Sequence, residues 1–359
     1  MSSECDQVAG RTSAIEDFAR IVGGPDAGPV TCRGGGTQWS LAGVADPDAR
    51  VVVAPSGVVA HEPGEMIVRV RASTTIGELH AATRSKGQLV SIEADRPDEA
   101  TVGGVLSCGK SGIRRLGRGP IRDTVLEVTA VAASGRVVRA GAPLVKNVTG
   151  FDLCKLLVGS YGTLAFIAEV VLRCVPEPQS ERWFVAEDAD PFELRSRLYK
   201  PLSVLWDGRQ TWVALAGYDV DVAEQATSVL GARFSEVDGP PPRAGEGMAQ
   251  IRLSLAPRDL RLLADLAAPV EESAGGWLAE VGVGTVHCAT AGVAAKVAML
   301  ARLGEHGEHG GLATDGGPSR QVVELHRRIK QNFDPTGRLN PGRSPLGAPF
   351  AATQHEGDR

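Results

Sequence analysis

Cys32-Arg33-Gly34-Gly35-Gly36-Thr37 follows a short apolar strand that begins at Val30, and its glycines decide how this chain is read. With no Cβ to block an approach, three consecutive glycines leave backbone N–H groups free to converge on one concavity, which makes an anion cradle. An ordinary turn is the alternative, because glycine-rich loops also serve that purpose. A second segment shifts the balance towards the cradle: Lys146-Asn147-Val148-Thr149-Gly150-Phe151-Asp152-Leu153, running on to Gly159-Ser160-Tyr161-Gly162-Thr163-Leu164.

The chain has 359 residues, 43% of them apolar, enough for two domains with separate cores. Its formal net charge of -5 shows no basic excess, which disfavours nucleic acid and anionic membrane surfaces as partners. Residues Met1 to Arg20 carry Glu4, Asp6, Glu16 and Asp17 and no apolar signal core, and no window approaches the roughly 18 apolar residues of a spanning helix. A cytoplasmic protein without a transmembrane segment is expected. The six cysteines have no CxxC spacing, so neither a metal site, nor an iron–sulfur cluster of its own, nor a disulfide framework is expected.

From Val30 to about Val175, short apolar strands alternate with glycine turns and a few helices. Met66 to Arg71 alternates as a half-buried strand does, and Val125 to Val131 does so less cleanly. Thr75-Ile76-Gly77-Glu78 has capping-box spacing and Gly87 stands at the far end, which predicts a helix of about three turns. Val175-Pro176-Glu177-Pro178 ends a strand and marks a boundary. The stretch beyond it carries strand candidates at Thr211 to Ala216 and Gln250 to Leu255, with a stiff loop at Gly239-Pro240-Pro241-Pro242-Arg243. Pro318 to Asn332 is predicted as a helix, with Val322, Val323, Leu325, Ile329 and Phe333 on one face. The resulting plan is α+β, with domains at 1–178 and 179–317, a C-terminal segment at 318–346 and a disordered tail at 347–359.

Three segments in this order, Arg33 to Thr37, Ala100-Thr101-Val102-Gly103-Gly104, and Gly159 to Leu164 leading into Ile167-Ala168-Glu169-Val170, resemble the FAD-binding domain of the vanillyl-alcohol oxidase and p-cresol methylhydroxylase flavoprotein family. With Asp334-Pro335 and Asn340-Pro341-Gly342, the likeness covers most of 30–178 and 325–343. It implies a PCMH-type FAD-binding domain, then a smaller α+β cap, with the C-terminal segment returning to the first. It places Arg33, Gly34, Gly35, Gly36 and Thr37 on the FAD pyrophosphate, with Thr101, Gly103 and Gly104 beside it. Ile167 and Glu169 approach the flavin through backbone groups, Asn340 reaches its edge, and Gly162 is either a contact or a tight turn needing positive φ. For the Glu169 side chain, an exposed strand position is expected. Members that attach FAD covalently have His where this chain has Thr37, so non-covalent FAD is implied. A classical dinucleotide fold is disfavoured, since Gly34 to Gly36 lack GxGxxG spacing followed by a helix.

Within the family, Lys146 to Leu153 and Gly159 to Leu164 look most like the glycolate oxidase group and its D-2-hydroxyacid dehydrogenase relatives. The chain is about the size of that group's small FAD-binding (E-type) subunit, whereas the catalytic subunits are substantially longer. Gly282-Val283-Gly284-Thr285-Val286-His287 resembles a degenerate form of a metal- and substrate-binding sequence of the catalytic relatives. Val283, Thr285 and Glu280 stand where ligands would be, which leaves too few for a divalent ion.

Flavin oxidation of a 2-hydroxy acid needs a hydride acceptor, a base for the hydroxyl proton and a cation for the carboxylate. His287 and His61 are the candidate bases and Arg343 the carboxylate partner. His80 and His326 fall in predicted helices, and His306, His309 and His355 in glycine-rich or tail segments. The resemblance implies an FAD-carrying, electron-transferring subunit of a glycolate oxidase complex. A catalytic FAD subunit and an iron–sulfur subunit stand beside it, and any attachment to the inner membrane face is made through partners. The alternatives are a self-sufficient oxidoreductase of a small hydroxy acid or sugar alcohol, with His287 as base, and an assembly subunit whose flavin site has decayed.

Overall fold

A computed structural model describes residues 13–39, 41–142, 152–241, 251–266, 276–288 and 320–346. Lys146 to Phe151, Pro242 and Arg243 of the proline-rich loop, His306, His309 and the 347–359 tail lie outside the described residues. The chain divides into two compact units: Met1–Gly112, Pro120–Glu177 and Gly317–Arg359 form unit 1, and Ile113–Gly119 and Pro178–Gly316 form unit 2.

Unit 1 opens with helix α1 (13–22), which buries Ile15, Phe18 and Val22, one face of a 3.6-residue repeat. Strands β1 (Val30–Cys32) and β2 (Arg50–Val52) pair in parallel. The main sheet comprises β3 (Val58–Glu62), β4 (Ile67–Arg71), β5 (Gln88–Val90), β6 (Val125–Ala132), β7 (Val137–Gly141) and β8 (Ala165–Pro176). Its order is β3-β4-β8-β6-β7, with β5 pairing the far end of β8, and all its pairs are antiparallel. The twelve-residue β8 is rich in β-branched and aromatic side chains and lies in the middle, where both its faces are covered.

Helix α2 (Ile76–Arg84) begins as predicted: Thr75 Oγ1 accepts from Glu78 N–H while the Glu78 carboxylate accepts from Thr75 N–H. Helix α3 (Val102–Cys108) starts at Thr101, whose hydroxyl accepts from Gly104 N–H, and α4 (Leu153–Leu157) starts at Asp152. The C-terminal helix runs Arg320–Phe333. Its inward face differs from the expected one, because Val322 and Leu325 are exposed while Ile329 and Phe333 pack on the core.

After that helix the chain returns to β1. Val30 N–H donates to Arg338 O and Asn340 N–H to Val30 O, which places Leu339 beside the strand. The Arg338 guanidinium, 3% exposed, donates to the carbonyls of Val22, Gly23, Gly28 and Ala133. Lys330 Nζ adds bonds to Thr163 O, Leu339 O and Asp334. Burial works against charge on Asp334, yet Lys330 and the N–H groups of Leu339 and Arg338 hold its carboxyl below the ordinary aspartate range.

Unit 2 is built on a seven-stranded antiparallel sheet of β9 (Ser180–Glu187), β10 (Ser203–Trp206), β11 (Gln210–Gly217), β12 (Ser235–Val237), β13 (Ile251–Ser254), β14 (Trp277–Glu280) and β15 (Thr285–Cys288). The order is β12-β9-β11-β10-β14-β15-β13. Alternate residues fall into two clusters: Phe184, Val204, Trp206, Val213 and Trp277 in one, with Leu194 and Val222 from α5 (Pro191–Arg197) and α6 (Asp219–Gln225), and Trp183, Leu205, Trp212 and Leu278 in the other. The unbroken 1–178 domain expected from sequence does not hold for Ile113–Gly119. Those residues join unit 2, where Gly117 N–H donates to Leu202 O and Ser203 Oγ donates to Ile113 O.

Candidate cofactor site

The first glycine loop leaves β1 and lies directly against the segment that leads into α3. A Cβ on Gly35 would stand 1.7 Å from Glu99 O, and one on Gly34 would stand 2.2 Å from Thr101 Oγ1, so no larger residue fits there without parting the two loops. Among the described residues, the N–H groups of Gly34, Gly35, Gly36 and Thr37 donate to no protein acceptor. Four successive donors are therefore left to face an anion.

These loops form one side of a cleft of about 760 Å³ in unit 1. Gly34, Gly35, Gly36, Thr37, Thr101, Gly103, Gly104, Gly162, Ile167, Asn340 and Arg343 all line it, so the structure gathers eleven of the residues nominated from sequence. Arg33 does not line it and instead stacks on Trp39, its Cζ 5.0 Å from the ring centroid. Glu169 does not line it either, and its expected exposure is overturned. The side chain is fully buried, with Oε1 3.2 Å from Arg69 Nη1, which also meets Glu127 Oε1 at 2.7 Å. A polar side chain buried in a central strand is costly without such a partner.

Sequence reasoning passed over Gln38, Trp39, Ser107, Cys108 and Tyr161, which complete the cleft wall. A large aromatic two residues after the cradle was the available signal. Asn340 fastens the far side: its Oδ1 accepts from Cys32 N–H at 2.9 Å, and its Nδ2 donates to Tyr161 O at 2.6 Å. Asn340 and Tyr161 both adopt positive φ, and Gly162, also at positive φ, has Asn340 Nδ2 2.6 Å from where a Cβ would be. Gly162 is thus a tight turn and a cleft residue at once.

Arg343 is held by its Nη2, which donates to Trp39 O at 3.0 Å and Leu41 O at 2.7 Å, and its Cζ lies 4.2 Å from the Trp39 ring centroid. Burial lowers its pKa. Its buried Nη1 has no partner among the described residues, nor does the buried Oε1 of Gln38. Burial also pushes the cleft thiols up, Cys32 to about 12 and Cys108 to about 11, so both stay neutral.

The candidate bases lie elsewhere. His61 Nε2 is 2.9 Å from Gln88 Oε1, and His80 Nε2 is 3.3 Å from Val90 O. His287 belongs to β15 of unit 2, is 5% exposed, and has Nε2 2.7 Å from Glu280 Oε1, with Arg252 Nη2 3.9 Å from the same oxygen. Among the described residues there is no cluster of three metal-ligating side chains, and no helix is long and apolar enough to cross a membrane.

A sequence family described as an FAD binding domain matches residues 16–141, the stretch that supplies the glycine cradle, α2, α3 and β6. The glycolate oxidase subunit GlcE of Escherichia coli (strain K12) is 28% identical over 303 residues, covering 80% of this chain and 84% of its own. The chain carries an FAD binding domain. FAD is its cofactor, and the open N–H groups, the unpartnered Arg343 and Gln38 atoms and the apolar wall at Val105, Phe166 and Ile167 fit that molecule. Other relatives match over shorter stretches. The glycolate oxidase subunit GlcD of Bacillus subtilis (strain 168) is 35% identical over 29% of this chain and 22% of its own. The D-lactate dehydrogenase of Archaeoglobus fulgidus is 36% identical over 42% and 34%. An alkyldihydroxyacetonephosphate synthase structure shares the fold, with a TM-score of 0.63, 15% identity and coverage of 91% of this chain and 74% of its own.

Proposed function

We propose that this chain is the FAD-binding subunit of a glycolate oxidase complex, carrying electrons beside a catalytic FAD subunit and an iron–sulfur subunit. At a coarser level it is an FAD-dependent oxidoreductase serving the CH–OH oxidation of small hydroxy acids, as the names of its relatives indicate. The observation that carries the reading is the chemistry of the cleft. Among its described lining residues none is His, Asp, Glu or Lys, and both thiols are held neutral, so no lining group among these is suited to take a hydroxyl proton near pH 7.

When bound, FAD supplies the redox chemistry. The chain's part is to bind and orient it. The Gly34 to Thr37 N–H groups and Thr101, Gly103 and Gly104 would hold the pyrophosphate, Ile167 and the Asn340 turn would border the ring, and Thr37 in place of His would leave the attachment non-covalent.

A second reading, a self-sufficient hydroxy-acid dehydrogenase, draws on the Glu280–His287 pair, since a carboxylate orienting an imidazole is the arrangement of a general base. Anaerobic visible spectra of the purified chain separate the two. An oxidised flavin spectrum that persists on adding glycolate or D-lactate, and bleaches only when the catalytic partner is added, agrees with the first reading. Bleaching of the isolated chain by either acid overturns it.

A further inference from the structure

Arg343 is the single formally charged side chain among the described lining residues of the cleft, and it is more firmly fixed than a charge on a surface. Two backbone carbonyls hold Nη2, the Trp39 ring supports the guanidinium plane, and Arg343 N–H closes a turn onto Asn340 O, so the Asn340 anchor to Cys32 and Tyr161 positions the residue that follows. Both carbonyl bonds use one nitrogen. The other, Nη1, is buried with no protein acceptor among the described residues, and a buried guanidinium edge without a partner is costly unless an anion completes it.

Three anions could reach this cleft: the cofactor's pyrophosphate, a substrate carboxylate, and the negative charge that the flavin ring gains on reduction. The four open N–H groups of the first glycine loop already provide for the pyrophosphate. The absence of a proton-accepting side chain among the described lining residues removes the usual companion of a carboxylate-binding arginine. We propose that Arg343 is the charge-compensating residue for the reduced flavin, binding reduced FAD more tightly than oxidised FAD and so raising the potential at which this chain accepts electrons. This rests on the cleft being the FAD site and deepens the electron-carrying reading. A cation fixed before reduction stabilises the added charge without reorganisation at that moment.

The test is the midpoint potential of the flavin in the purified full-length chain, wild type, Arg343→Lys and Arg343→Met, by anaerobic reduction against a reference dye. Dissociation constants for oxidised FAD and melting temperatures are measured on the same samples. Arg343→Met is expected to weaken reduced-FAD binding relative to oxidised about tenfold, a drop of about 30 mV for a two-electron couple. Arg343→Lys keeps most of the wild-type potential, and oxidised-FAD affinity changes less than about threefold. An unchanged potential in Arg343→Met with tenfold weaker binding of oxidised FAD assigns the residue to the pyrophosphate and overturns the proposal. An unchanged potential with loss of a glycolate-induced spectral shift assigns it to a carboxylate and overturns it equally. Should Arg343→Met not fold, Arg343→Gln and the lysine variant carry the comparison. A wild-type chain that binds no flavin refutes the site itself, whereas a yellow chain with insensitive potentials refutes only the role of Arg343.

Discussion

The unit 1 cleft is lined by glycines, open N–H groups and one guanidinium, whereas unit 2 buries a carboxylate and an imidazole 2.7 Å apart within its sheet. The side chains that look most catalytic thus lie in a unit whose strands account for their burial, and the cofactor cleft is built mainly of main chain. Binding a large anionic cofactor depends on donors that come for free wherever glycine keeps the backbone bare, and so needs little reactive chemistry of its own.

The comparison breaks most severely if unit 1 tolerates loss of its deepest cation. Arg338→Met leaves the carbonyls of Gly23, Gly28 and Ala133 without their side-chain donor and Val22 O with Arg50 alone, and a loss of about 3–5 kcal/mol is expected in urea unfolding. Flavin content should fall with it, and a variant of normal stability would show that the C-terminal return is dispensable. Gly35→Ala tests the main-chain cradle directly. Forcing Glu99 aside costs about 1–3 kcal/mol, with at least tenfold less flavin co-purifying. Full flavin occupancy in this variant would remove the cradle from the cofactor site.

His287→Gln sharpens the other half of the contrast. It removes the closest partner of the buried Glu280 and should destabilise the chain by about 2 kcal/mol, read by melting, with flavin content and potential unchanged. A shifted flavin potential here would tie unit 2 to the cofactor after all. Thr75→Ala removes one cap of α2 and should cost about 1 kcal/mol without touching flavin affinity. The mildest perturbation changes no residue. The folded carboxyl of Asp334 is depressed, so its contribution is complete above the unfolded aspartate value of about 3.9 and is lost as pH falls through its lower folded value. Acid titration of stability in wild type should show this loss, and Asp334→Asn should lack it.

The cradle was legible because a run of glycine where loops must touch has few other uses, and α2 because its capping box needs only four residues. Glu169 was misread because alternation along β8 says nothing about Arg69, whose guanidinium reaches it from a strand 100 positions away. The transfer of Ile113–Gly119 to unit 2 was hidden for the same reason, as its bonds to Leu202 and Ser203 lie far along the chain. The inward face of the last helix was misjudged from hydrophobicity alone, since Lys330 turns inward to three oxygen acceptors while Val322 and Leu325 stay outside. Arg343 could be nominated from sequence, but its unpartnered nitrogen could not.

The bond from Arg338 to Gly28 spans 310 positions, and the one from Asn340 to Cys32 spans 308. During synthesis the ribosome releases the glycine cradle early, then the whole of unit 2, and only afterwards the residues that lock β1 in place. The cradle is therefore fastened only when nearly the whole chain has been made, and a nascent chain stalled before Arg338 holds it without its latch.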